Sequence, residues 1–196
     1  VNAAVEGKHD GGDGTGYAGA LAGTAQYASF DNCRVYWEKE SAAVSNLRQQ
    51  LGDSTAGYQY KITGKTAGGL AGKLTNGRIE NCLSATTIEG KGPDSAAGGL
   101  LGCAEGSIEI KNSYGDCYLK GPGVGGLAGN VTGNDSVLTL ENCYAAGFID
   151  SGEEADLPGS EAAGLCLGKG TVKSENVYSA MLYTLGAKNY PLCENK

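Results

Sequence analysis

A short phrase recurs along this chain, and it constrains the fold more than any other feature. Its clearest copy is Ala-Gly-Gly-Leu-Ala-Gly at Ala67–Gly72, followed by Arg-Ile-Glu-Asn-Cys-Leu-Ser-Ala at Arg78–Ala85. Further copies of the glycine-rich phrase, each followed by an asparagine, begin at Ala18, Ala97, Val124 and Ala163. Five copies in 196 residues indicate a repeat protein, in which each unit becomes stable only by stacking on its neighbours.

The spacing of the repeated residues gives the size of the unit. Successive motif leucines lie 49, 30, 27 and 38 residues apart, and the motif asparagines follow a similar series. The shortest intervals, 27–30 residues, are the repeat itself, and the excess predicts insertions at about 38–64, 132–136 and 151–161. The motif leucines are Leu21, Leu70, Leu100, Leu127 and Leu165.

Units of this composition favour strands over helices. The chain has 34 glycines, and each interior glycine costs a helix about 1 kcal/mol. A unit with three short strands has the size of one rung of a parallel β-helix. We therefore predict an all-β fold, a right-handed parallel β-helix (β-solenoid) with about five rungs of 27–30 residues. It forms one domain over residues 1–183, with residues 184–196 as a C-terminal cap or linker. Apolar residues at helical spacing predict a short helical insertion near 38–52.

The asparagine of each repeat marks a predicted corner. The residues two before it are mostly apolar and those directly after it are small, so both columns suit the core. An unbroken strand would place these columns on opposite faces. The chain must therefore turn at the asparagine, a residue that tolerates left-handed backbone. Stacked about 4.8 Å apart, these residues predict a structural ladder: Asn32, Asn81, Asn112, Asn142 and Asn176.

Aromatic side chains follow the corner at positions that the same parity turns outward. Tyr114, Tyr144 and Tyr178 lie two residues after an asparagine, and Tyr118 and Phe148 lie six after one. One interpretation is structural: these side chains only stack on one another between neighbouring rungs or lie under the insertions. The other is a ligand-binding face for a sugar or another protein domain, because exposed apolar patches tend to mark interfaces.

Metal and cysteine chemistry is weakly represented. The seven cysteines include no Cys-x-x-Cys pair and no Cys/His cluster, which argues against zinc. Buried thiols are the favoured interpretation, and one or two disulfides are the alternative. Asp10 and Asp13 resemble a glycine- and aspartate-rich calcium turn but lack its nine-residue period. We therefore expect no metal and no cofactor, with calcium at Asp10 and Asp13 as the lesser alternative.

Catalytic patterns are equally sparse. The single histidine, His9, lies in a glycine-rich stretch without the pattern of a triad or zinc peptidase. A carbohydrate-active β-helix enzyme would need paired carboxylates with basic residues on one face. The acidic column before the asparagines is interrupted by Lys111, which favours a solvated face. We therefore predict no catalytic residues, and the carbohydrate-active enzyme is the least favoured hypothesis.

Charge and hydropathy bear on partners. The net charge of −7 argues against nucleic acid, because few basic groups are present to neutralise phosphates. No apolar stretch is long enough to span a bilayer, so no membrane insertion is expected in this segment. The chain begins at Val1 without an initiator Met, so we interpret it as a fragment of a longer protein.

The glycine phrase resembles a known family. Gly69–Gly72, Gly99–Gly102 and Gly126–Gly129, with Asn-Cys-Tyr-Ala at Asn142–Ala145, resemble the GLUG motif. This motif recurs in bacterial surface adhesins and in the non-catalytic part of some secreted immunoglobulin A peptidases. The resemblance covers about Ala18–Tyr183, and it is weaker in the first and last copies.

The resemblance implies a non-enzymatic β-solenoid segment of a bacterial cell-surface or secreted protein, adhesive or acting as a stalk. The implied partners are a host protein or glycan and neighbouring domains of the same long chain. The alternative is an accessory, non-catalytic segment of a secreted immunoglobulin A peptidase.

Overall fold

Parallel β-strands form all the regular structure that the computed structural model describes. The described residues are 5–6, 16–36, 61–150, 161–183 and 193–195. Within them lie twenty strands in three sheets, and every strand pairing is parallel. The predicted all-β class is confirmed. The helical insertion predicted near 38–52 lies outside the described residues.

The first sheet, here the glycine sheet, holds the start of every repeated phrase. Its five strands are β2 (Tyr17–Gly19), β6 (Thr66–Gly68), β10 (Ala96–Gly98), β13 (Gly123–Gly125) and β16 (Glu161–Ala163). Equivalent residues pair directly, so that Ala67 lies between Ala18 and Ala97. The first four repeats therefore stack in the register that the sequence alignment of the phrases predicts. In the fifth repeat, Val124 pairs with Ala162, one residue before the phrase begins.

The second sheet, the long sheet, follows each phrase. Its strands are β3 (Ala22–Asp31), β7 (Ala71–Glu80), β11 (Leu101–Lys111), β14 (Ala128–Glu141), β17 (Cys166–Gly168), β18 (Thr171–Glu175) and β20 (Cys193–Asn195). The insertion predicted at 132–136 is a bulge inside β14, where residues 133–136 lie opposite Gly106 alone. Residues 193–195, within the predicted cap or linker, add a strand beside β17.

The third sheet, the aromatic sheet, follows each corner asparagine. Its strands are β1 (Val5–Glu6), β4 (Arg34–Tyr36), β5 (Lys61–Gly64), β8 (Leu83–Ala85), β9 (Thr87–Gly90), β12 (Tyr114–Lys120), β15 (Tyr144–Asp150) and β19 (Tyr178–Tyr183). Residues 61–64 fall inside the insertion assigned to 38–64, yet they form β5, which pairs with β9. The repeat thus resumes before the sequence spacing suggested.

The motif leucines form the centre of the core. Leu70, Leu100 and Leu127 are fully buried, and the backbone N–H of Leu100 donates to the carbonyl of Leu127 at 2.9 Å. Burial of such a side chain contributes about 1.5–3 kcal/mol before entropy is counted. Leu21, which the sequence places inside, is instead 50% exposed. It precedes β3, which pairs with β7 alone among the described strands, so the core is covered there on one side only.

The glycines of the phrase are required by close packing. Glycine admits both positive φ and close backbone approach, and Gly69, Gly99 and Gly126 do not adopt positive φ. A Cβ on Gly99 would lie 2.2 Å from the carbonyl oxygen of Gly126 in the next repeat. Neighbouring backbones therefore approach too closely for any side chain at this column.

Candidate functional site

The asparagine corners position the start of five strands in the aromatic sheet, β4, β8, β12, β15 and β19. All five corner asparagines have left-handed backbone, with φ between 47° and 55°. Asn176 donates through Nδ2 to Oδ1 of Asn142 at 3.1 Å, and Asn142 donates to Asn112 in the same way at 3.1 Å. A longer contact of 3.5 Å joins Asn112 to Asn81. The four asparagines form a continuous side-chain ladder.

The ladder ends on a carboxylate before it reaches the first asparagine. Asn81 donates to Oδ1 of Asp31 at 3.2 Å, and Asn32 donates to the same oxygen at 3.1 Å. Asn32 keeps the corner conformation, with a φ of 54°, but its amide is not placed between two other asparagines. Asp31 therefore replaces Asn32 as the final acceptor of the ladder.

The residue after each asparagine completes the corner from the inside. The N–H of Cys82 donates to Oγ of Ser113 at 3.0 Å, and the N–H of Cys33 donates to Sγ of Cys82 at 3.4 Å. The Cys143 thiol turns back to the carbonyl oxygen of Glu141 at 3.2 Å. These side chains satisfy backbone groups that the turn removes from the regular ladder. The sequence predicted their burial but not this hydrogen-bonding role.

Burial favours the protonated form of the Cys82 and Cys117 thiols. Desolvation raises the pKa of the Cys82 thiol to about 11, and it raises that of Cys117 to about 11 as well. Cys33, Cys103 and Cys143 are also free thiols. Because the thiolate is the reactive form, the buried thiols fit a packing role.

The predicted aromatic residues lie together on the outer surface of the aromatic sheet. Tyr114, Tyr144 and Tyr178 pair in register on adjacent strands, and so do Tyr118 and Phe148. The three tyrosines and Phe148 are 42–65% exposed, and Tyr118 is partly buried. We call these five residues the aromatic face.

A strip of smaller residues separates the two aromatic columns. Asp116, Ala146 and Ala180 pair in register along it. At one edge, the Tyr118 hydroxyl donates to Oδ2 of Asp150 at 2.9 Å, and the rings of Tyr118 and Phe148 lie 6.5 Å apart at 39°. The face is thus apolar in its columns and polar along one margin. Such a surface can pack against an apolar partner while its charged margin remains hydrated.

The acidic column beside the ladder is partly neutralised. Lys111 lies in register with Glu80 and Glu141. Its Nζ is 2.9 Å from Glu109 and 3.1 Å from Glu141, and hydrogen bonds to Glu109 and then Glu141 raise the pKa of Lys111. The column therefore presents bridged charges on a solvated surface.

The remaining candidates lie outside the described residues or have no counterpart within them. His9 and the calcium candidates Asp10 and Asp13 belong to residues 7–15, outside the described part. Within the described ranges, no three His, Cys, Asp or Glu side chains are grouped so that they could hold a metal ion. The same ranges contain no helix long and apolar enough to cross a membrane.

A second line of left-handed residues crosses the long sheet, and the repeat pattern of the sequence did not predict it. Tyr27, Asn76, Gly106 and Gly133 occupy this line, with φ between 49° and 89°. The Asn-Gly pair at Asn76 and the glycines at the two later positions are turn signals that could have revealed it. The bulge in β14 and the tyrosine in the first repeat obscured the alignment.

Comparison with known proteins assigns no relative. No protein-family model matches this chain, and neither a curated protein nor a solved structure matches it.

Proposed function

We propose that this chain is a right-handed parallel β-solenoid segment of an extracellular bacterial surface protein, and that its aromatic face docks another protein. It acts as a non-enzymatic adhesive or stalk segment. The exposed aromatic face is the observation that carries the proposal.

The solenoid architecture is supported by the order of the strands. In each repeat the chain passes from the glycine sheet to the long sheet, turns at the asparagine, and continues into the aromatic sheet. The motif leucines of successive repeats stack on one another. This order repeated five times is what a coil around one continuous core produces. The GLUG resemblance, which implies a bacterial surface or secreted protein, supports the location.

The composition of the aromatic face favours a protein partner. Exposed Tyr and Phe are enriched in protein interfaces, where an apolar centre is surrounded by a polar rim. Here the rings of Tyr144 and Phe148 stand on an open sheet, with Asp116 between their columns and the Lys120–Asp150 pair at the margin. A small molecule would gain little burial on such an open surface, because ligand sites enclose most of their ligand. A glycan is the alternative ligand of this face, and the test below distinguishes it from a protein.

The test measures binding of the chain to immobilised host cell-surface proteins and, in parallel, to a glycan array. We expect a protein partner whose affinity falls at least about tenfold, roughly 1.4 kcal/mol, in the double variant Tyr144→Ala, Phe148→Ser. The control Lys173→Ala removes an exposed side chain from the long sheet and leaves binding unchanged. Equal binding by the double variant, or binding to glycans alone through this face, would refute protein docking. Thermal unfolding of each variant checks that the fold is retained.

A further inference from the structure

The line of left-handed residues in the long sheet has one anomalous member. Asparagine and glycine populate this conformation readily, whereas a bulky aromatic residue there is an outlier. Tyr27 nevertheless has a φ of 49°, and its side chain is 78% exposed. Core packing therefore does not explain a tyrosine at this position.

The other repeats use this line to bond their neighbours. Oδ1 of Asn76 accepts the N–H of Ser107 at 2.9 Å, and Oγ of Ser136 accepts the N–H of Gly106 at 2.8 Å. A tyrosine side chain has no polar atom at the distance from the backbone that Asn76 uses. In the first repeat, the backbone conformation at Tyr27 is therefore less favourable, and its side chain does not make the hydrogen bond that Asn76 makes. Strain of this kind is often found at functional sites.

A groove of about 560 Å³ lies beside Tyr27. The groove is shallow and open, and polar and apolar groups contribute about equally to its walls. Ser29, Arg78, Glu109 and Thr139 occupy register positions on four adjacent strands along it. We call this site the bend groove.

The charges along the bend groove are paired. Arg78 donates from Nε to Oγ of Ser29 at 2.9 Å, and its Nη1 lies 3.9 Å from Glu80. Glu109 is bridged to Lys111 at 2.9 Å. The guanidinium keeps exposed N–H donors, and the carboxylate keeps acceptor positions. The groove therefore offers donors and acceptors with little net charge.

We propose that the bend groove binds a short neutral oligosaccharide, with Tyr27 as the stacking platform. A sugar ring has an apolar face for the aromatic ring and hydroxyl groups that both donate and accept hydrogen bonds. One exposed ring beside a row of hydroxyl, guanidinium and carboxylate groups matches both properties. An anionic sugar is disfavoured, because Arg78 already has carboxylate and hydroxyl partners and Glu109 repels a negative ligand. This site lies on a different sheet from the aromatic face and does not depend on it.

The test uses the 196-residue chain on a glycan array, followed by calorimetric titration with the neutral oligosaccharide that binds best. Tyr27→Asn restores the residue found in the second repeat, so we expect its melting temperature to rise and its affinity to fall at least tenfold. Tyr27→Phe keeps the ring and is expected to bind within threefold of the unchanged chain. Arg78→Ala is expected to lose at least tenfold. A rise in stability with a loss of binding is the signature that a merely structural tyrosine would not give.

Three results would overturn the proposal. They are the absence of any neutral oligosaccharide ligand, selective binding of anionic glycans, and unchanged affinity in Tyr27→Asn. Tyr144→Ala on the aromatic face separates the two sites, since it leaves oligosaccharide binding in the groove intact. The experiments can therefore refute protein docking at the aromatic face while oligosaccharide binding in the bend groove holds, and they can refute groove binding while protein docking holds.

Discussion

Replacing Asn112 with alanine tests whether the corner asparagines stabilise the fold. Asn112 lies in the middle of the ladder, accepting from Asn142 at 3.1 Å and donating to Asn81 at 3.5 Å. Its φ is 47°, and its backbone N–H bonds the carbonyl of Glu141 at 3.0 Å. The substitution removes both side-chain bonds but leaves the backbone bond in place. The loss in free energy of unfolding in Asn112→Ala therefore measures the contributions of the side-chain ladder and of the left-handed conformation.

The magnitude follows from these two contributions. An alanine in left-handed backbone costs about 1 kcal/mol. The two lost hydrogen bonds cost together about 1 kcal/mol, at the low end of the usual range because the ladder is exposed. We therefore expect Asn112→Ala to lower the free energy of unfolding by about 2 kcal/mol. Asn112→Gly loses the hydrogen bonds but accepts the conformation readily, so its loss should be about half as large.

Urea unfolding followed by circular dichroism measures these differences. Asn134→Ala is the matched control, because Asn134 is an exposed asparagine in the β14 bulge without positive φ. We expect this control to stay within about 0.5 kcal/mol of the unchanged chain. The reasoning is refuted if Asn112→Ala behaves like Asn134→Ala, or if Asn112→Gly is less stable than Asn112→Ala.

Three further predictions concern the core, an ion pair and a buried thiol. Leu100→Ala should lower the free energy of unfolding by about 2–5 kcal/mol, and the same change at half-exposed Leu21 should cost clearly less in chemical denaturation. Lys73 lowers the pKa of Glu105 mainly by a hydrogen bond, and Glu105 raises that of Lys73. The small loss in Lys73→Met, under about 1 kcal/mol, should therefore be full between about pH 4.5 and 10.5 and shrink outside that range in pH-dependent unfolding. Iodoacetamide at pH 8 should spare Cys117 in the folded chain, since burial raises its pKa to about 11, and label it after unfolding; mass spectrometry of peptides checks this.

The corner could be predicted from sequence because it changes the parity of side chains. Ile110 and Ser113 are both buried although they lie three residues apart, which an unbroken strand does not allow. The outward position of Tyr114 and Tyr144 follows from the same count. Such inferences need only residue identity and alternation.

The bend at Tyr27 could not be predicted in the same way. Tyr27 is the first residue of the left-handed line, and its positive φ contradicts the conformational preference of tyrosine. In the fourth repeat, the four-residue bulge at 133–136 shifts the equivalent position in the sequence. For a related reason, the sequence left two roles open for Gly99. A left-handed backbone and a close neighbour both exclude a Cβ, and the letter Gly alone does not distinguish them.

The asparagine ladder also has a direction. Each amide donates toward the preceding repeat, and the series finishes on the Asp31 carboxylate, which is already shared by two amides. A duplicated repeat inserted after the fifth would find the oxygen of Asn176 in the position that each earlier asparagine offers to its successor. A repeat inserted before the first would instead adjoin Asp31, whose Oδ1 already accepts hydrogen bonds from Asn32 and Asn81. Gene duplication can therefore lengthen this array more readily from one side than from the other.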